Sequence, residues 1–125
     1  MMYSDEVLDH FHQPRNVGEI AEPTAVADAS NPVCGDAMKL WIRVRDGRVS
    51  EATFKAQGCV PAVACGSWLT EAIKGKAVGE LGSVSAGQIE QGLGGLPEAS
   101  RHASTLAIAT LREAIQKLSH GDVAH

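Results

Sequence analysis

From Met38 to Arg45 an apolar set of residues alternates with a set that is polar except for Trp41. Met38, Leu40, Ile42 and Val44 fall on one side, and Lys39, Trp41, Arg43 and Arg45 on the other. That two-residue period is the mark of a half-buried strand. Asp46-Gly47 follows and signals a two-residue hairpin turn. A return strand is expected from Arg48 to about Gln57, with Ala52, Phe54 and Ala56 on its apolar side. Upstream, Ala25 to Ala29 reads as a weaker strand.

The remaining pattern is helical. Ser4 can cap a first helix, Asp5 and Glu6 suit its first turn, and Val7, Leu8 and Phe11 form its apolar face before Pro14 ends it. Val17 to Pro32 carries small residues and two prolines. Gly58-Cys59 closes the return strand, and Pro61 suits the first turn of a helix that runs to Lys74 and stops at Gly75. Leu69, Ala72 and Ile73 share one face of it. Six glycines lie between Lys76 and Gly95, where one or two short helices are expected. Pro97 is expected to open the last helix, with Ala107, Leu111, Ala114, Ile115 and Leu118 as its core stripe. The tail, 119–125, is expected to be disordered.

Helix, strands, then helices predict an α+β fold: a small antiparallel three-stranded sheet with helices packed on one face. The other face would then point Lys39, Trp41 and Arg43 outward. The 125 residues suit one domain over 1–125.

Composition narrows the function. Apolar residues make up 44% and charged residues 21%, as in an ordinary globule. The net charge of −4 and the lack of a Lys/Arg stripe argue against a nucleic-acid partner. No apolar run reaches membrane-spanning length, and the first residues lack the features of a signal peptide. A cytoplasmic location is expected. In that reducing compartment Cys34, Cys59 and Cys65 are expected to be thiols or metal ligands rather than disulfide partners.

Chemistry gathers at the hairpin. Cys34-Gly35-Asp36 precedes the first strand, and Gly35 lets a thiolate and a carboxylate turn toward one point. Cys59 ends the second strand, so an antiparallel pairing puts Cys34 and Cys59 on the same edge of the sheet. His102 could add a fourth donor from the start of the last helix. Two thiolates, a carboxylate and an imidazole suit zinc, or an iron–sulfur cluster. Sulfur donors argue against magnesium or calcium. Plainer readings stand beside this one. Free cysteine often fills a core, and Asp36 could serve a turn. His102 could lie at the surface, and on an ideal helix it points away from the Ala107/Leu111 stripe. It reaches the site only where the helix begins near it or is tilted. The spacings are not zinc-finger pairs and leave both readings open.

The order of motifs resembles the IscU/NifU N-terminal scaffold family. Tyr3-Ser4, Asp9-His10-Phe11 and Pro14-Arg15-Asn16-Val17-Gly18 look like its opening. Cys34-Gly35-Asp36-Ala37-Met38-Lys39-Leu40 and Phe54-Lys55-Ala56-Gln57-Gly58-Cys59 resemble its first two ligand segments. Thr70-Glu71-Ala72-Ile73-Lys74-Gly75-Lys76 matches the helix between, and Leu96-Pro97 with His102 its third segment. The resemblance runs nearly end to end and implies a SufE/NifU-like fold. It implies a scaffold rather than an enzyme, one that builds a transient [2Fe–2S] cluster with sulfur from a cysteine desulfurase and passes it to acceptor proteins. Carried over, Cys34, Asp36, Cys59 and His102 would hold iron, the cluster, or zinc as an alternative occupant. Asp36 would act as a ligand or keep the cluster labile.

Departures follow from the same comparison. The family has a cysteine, a cluster ligand implicated in accepting sulfur, directly after the histidine. Here that residue is Ala103. Cys65 replaces a small polar residue and shares a helix face with Leu69 and Ala72, which favours burial over rescue of the site. The chaperone-recognition segment reads Leu96-Pro97-Glu98-Ala99-Ser100, which argues against an Hsp70-type partner. The long insertion of the SufU branch is absent. Three functions remain in order of preference. The first is a cluster scaffold or carrier. The second is a zinc-site homologue that binds or regulates the desulfurase without building clusters. The third is a sulfurtransferase carrying a persulfide on a cysteine.

Overall fold

The computed structural model describes residues 3–33 and 35–123, with side chains through Leu118. Helix α1 spans Asp5–His12; the Ser4 hydroxyl accepts the Val7 N–H at 3.0 Å and donates to the Leu93 carbonyl. Strands β1 (Ala25–Ser30), β2 (Ala37–Arg45) and β3 (Arg48–Gln57) form an antiparallel sheet in the order β1-β2-β3. The β2–β3 turn is Asp46-Gly47, with φ of 55° and 75°. Two positive φ values make the turn that matches strand twist. Helix α2 spans Val60–Ile73, α3 Ala86–Gly92 and α4 His102–Val123, with 3-10 turns at Val78–Ser83 and Glu98–Ser100.

The alternation in β2 and β3 decides where the core lies. Met38, Leu40, Ile42, Ala52 and Phe54 are buried on the face that α2 and α4 cover. Helix α1 packs against α2. Gly66 lets α2 come close to the sheet, because a Cβ there would lie 3.0 Å or less from three atoms of the Phe54 ring. No helix among the described residues is long and apolar enough to cross a membrane.

The sheet's other face differs from expectation at Trp41, which is only 6% exposed. The strand period gives the side on which Trp41 lies, but not what lies over it. The chain before β1 crosses there. Glu19 pairs with Lys55 at 2.8 Å, and Arg43 donates to the Ala21 carbonyl. Ile20, between those two anchors, is itself buried. Lys39 stays exposed, with its ammonium 5.3 Å from the centre of the Trp41 ring. The same segment pairs with β3: Phe54 N–H donates to Asn16 O at 2.9 Å, and Gly18 N–H to Phe54 O at 3.0 Å. On the opposite side of the sheet, Lys117 donates to the Val26 carbonyl at 2.7 Å.

The last helix also differs. It begins at His102, not at Pro97. Pro97 has an extended backbone (φ −56°, ψ 147°) and leads into the short turn Glu98–Ser100. Of the tail expected to be disordered, 119–123 continue helix α4 as far as Val123, and 124–125 lie outside the described residues.

Candidate metal centre

The sheet register builds the site. Ala37 pairs with Gln57, so Asp36 and Gly58 lie next to one another just past the paired ends of β2 and β3. Gly58 has φ of 138°, and a Cβ on it would sit 2.6 Å from Asp36 Cγ. Asp36 is 4% exposed, and its backbone carbonyl takes the Asn31 N–H at 2.8 Å. Cys59 caps the N-terminus of α2, and its carbonyl accepts the Ala62 N–H at 3.1 Å. His102 is the first residue of α4. These three side chains come from three separate elements. Their donor atoms all lie within 4.8 Å of one another.

The distances are near those a metal requires. Cys59 Sγ is 3.0 Å from Asp36 Oδ2 and 3.8 Å from His102 Nε2, and His102 Nε2 is 3.2 Å from Asp36 Oδ2. Around a tetrahedral ion with bonds of about 2.0–2.3 Å, donors stand about 3.3–3.8 Å apart. Small outward shifts of Asp36 would convert one arrangement into the other.

Protons hold the site together as it stands. Burial alone would raise the Asp36 pKa, but hydrogen bonds from the Cys59 thiol and the His102 ring outweigh it and hold the carboxyl below its usual range. Burial, then the Asp36 carboxylate, pushes the Cys59 thiol up to about 11. So Cys59 keeps its proton and donates it to Asp36. His102 Nδ1 lies 3.0 Å from the Ala99 carbonyl, which can only accept, so the ring proton sits on Nδ1. Nε2 faces Asp36 Oδ2 at 3.2 Å and is the ring atom that would ligate a metal. A metal ion would replace the thiol proton, and the residues fit it: thiolate, carboxylate and imidazole form a mixed S, O, N set. The backbone carbonyl on Nδ1 is the usual orienting partner of a ligating histidine.

Of the residues singled out from sequence, Asp36, Cys59 and His102 meet. Cys34 lies outside the described residues. Cys65 is fully buried in the core on α2. Burial, then the nearby Cys59 and Glu90 charges, pushes its thiol up to about 12. Core filling is therefore its role. Ala103 is fully buried next to His102. Sequence reasoning missed the Ala99 carbonyl, because every residue carries one. It also missed Gly58's closeness to Asp36, for which the Gly-Cys pair at the strand end was the one available signal.

Residues 2–123 match the family model described as NifU-like N terminal domain. The chain is 45% identical over 114 residues to the iron-sulfur cluster assembly scaffold protein IscU 1 of Archaeoglobus fulgidus, covering 91% of this chain and 74% of that protein. It is 40% identical over 119 residues to the IscU scaffold protein of Escherichia coli, covering 92% of each chain. Among solved structures, a NifU-like protein (N-terminal) from Brucella abortus superposes with a TM-score of 0.77 at 23% identity, over 95% of each chain. That structural likeness concerns the fold, which agrees with the sheet and helix arrangement described above. With nearly its whole length matched, this chain belongs to the NifU-like N-terminal domain family.

Proposed function

We propose that this chain is an iron–sulfur cluster assembly scaffold, which binds iron and a transient [2Fe–2S] cluster as cargo and hands it to acceptor proteins. The observation that carries the reading is the meeting of Asp36, Cys59 and His102 at the rim of the sheet. With Cys34 as the fourth donor, the set supplies the ligands a cluster needs, histidine being a known substitute for cysteine. A carboxylate in the set makes chemical sense for cargo that must leave, because oxygen holds iron less tenaciously than thiolate does. The scaffold is a carrier rather than an enzyme, works in the cytoplasm as one domain, and takes its sulfur from a cysteine desulfurase.

Anaerobic incubation with ferrous iron and sulfide tests this. The expected result is a visible-absorbing chromophore that is lost in Cys34→Ala and in Cys59→Ala. Ala103 favours a second reading, a zinc-holding homologue that builds no cluster. A colourless wild-type protein that binds zinc tightly under the same conditions would select that reading.

A further inference from the structure

His102 grows from the first turn of α4, and that turn is gripped from outside by α3. Glu90 of α3, its side chain 23% exposed, uses both carboxylate oxygens there. Ser104 Oγ lies 2.7 Å from Glu90 Oε2, and Arg101 Nε lies 3.5 Å from Glu90 Oε1. Arg101 is the residue before His102, and Ser104 is two residues after it. The Ser104 hydroxyl also comes within 2.9 Å of the Arg101 carbonyl, but it has one proton, and the shorter contact to an ionised acceptor is the stronger. Ser104 is fully buried, so this bond is shielded from water. A carboxylate beside the start of α4 also faces the positive end of the helix dipole. Helix α3 is itself anchored by buried Ile89, and the Leu93 carbonyl just after it by Ser4. Glu90 is not one of the three clustered donors and faces the turn that carries one of them.

We propose that Glu90 is a positioning residue for His102: it clamps both flanks of the turn so that the imidazole is delivered to Asp36 and Cys59. The Ala99 carbonyl sets how the ring is rotated, and Glu90 sets where the ring starts. This inference rests on the metal-site reading above.

Cobalt(II) titration of purified protein is the test, with nitrogen-15 spectra of the His102 ring in the metal-free protein as a readout that needs no metal. Glu90→Ala should weaken cobalt binding about tenfold, as losses of orienting partners do. Glu90→Gln keeps the Ser104 bond and should lose less. In a His102→Ala background, Glu90→Ala should cost nothing further. Val49→Ala, a core change at the turn end of β3 and away from α3 and the donor cluster, should lower the melting temperature and leave cobalt affinity unchanged. The ring signals should be a single sharp set in the wild type and broadened or doubled in Glu90→Ala. Unchanged affinity and unchanged ring signals in Glu90→Ala would overturn the proposal. So would an equal loss in the His102→Ala background. Failure of the wild type to bind cobalt would overturn the metal-site reading, and the ring spectra would still decide the role of Glu90.

Discussion

Gly58 is the residue on which the candidate site is most exposed to a single change. Its φ of 138° is one that other residues rarely adopt, and a Cβ would press into Asp36. Gly58→Ala should therefore cost about 1–3 kcal/mol in backbone strain. It should also push the carboxylate away from Cys59 and His102. The expected outcome is a lower melting temperature together with weaker zinc binding, both read by calorimetry. Cys65 gives a pH prediction with a definite sign. Its thiol is raised from 9.0 to about 12 by burial, so the folded state holds that proton more tightly than the unfolded state. The stability this contributes is complete below about pH 9 and is lost as pH rises through about 12. The urea midpoint should fall over that range, and fall less steeply in Cys65→Ala. At this scale the sequence placed the Cys34-Gly35-Asp36 loop and Cys59 on one edge of the sheet, because a hairpin's two ends must meet, and Asp36 and Cys59 do lie 3.0 Å apart. It could not reveal that the Ala99 carbonyl or the Glu90 carboxylate would face the same helical turn.

Among the elements, the hairpin was the most legible. Its alternation and its Asp-Gly turn are local properties, and the register they set is the one that brings Asp36 beside Gly58. The start of α4 was less legible. Proline suits a first helical turn, but Pro97 is extended here, and the short turn after it moves the helix start five residues along, to His102. That shift is what lets His102 point along the helix end toward the sheet rim. The packing of α2 on β3 supplies another test. Gly66→Ala would gain up to about 1 kcal/mol in helix propensity. It would also drive a methyl group into the Phe54 ring, and overpacking of a filled core costs about 1–3 kcal/mol. Overpacking should win, so the variant should melt at a lower temperature than the wild type by circular dichroism.

Across the whole molecule, helices on one face and a crossing segment on the other leave the site at the end of the sheet, where three elements finish or begin. The helical side was predictable, since the buried positions of β2 and β3 need a partner. The covering of Trp41 was not, because Glu19 to Ala21 reach it only through contacts distant in sequence. The same segment has a consequence for how these molecules coexist in solution. Its pairing with Phe54 occupies backbone groups on the outer margin of β3, and Lys117 takes the Val26 carbonyl of β1. Backbone groups taken in this way are withheld from strand addition between neighbouring molecules. The thiol and carboxylate at the sheet's end thus stand beside guarded strand margins, which discourages polymerisation.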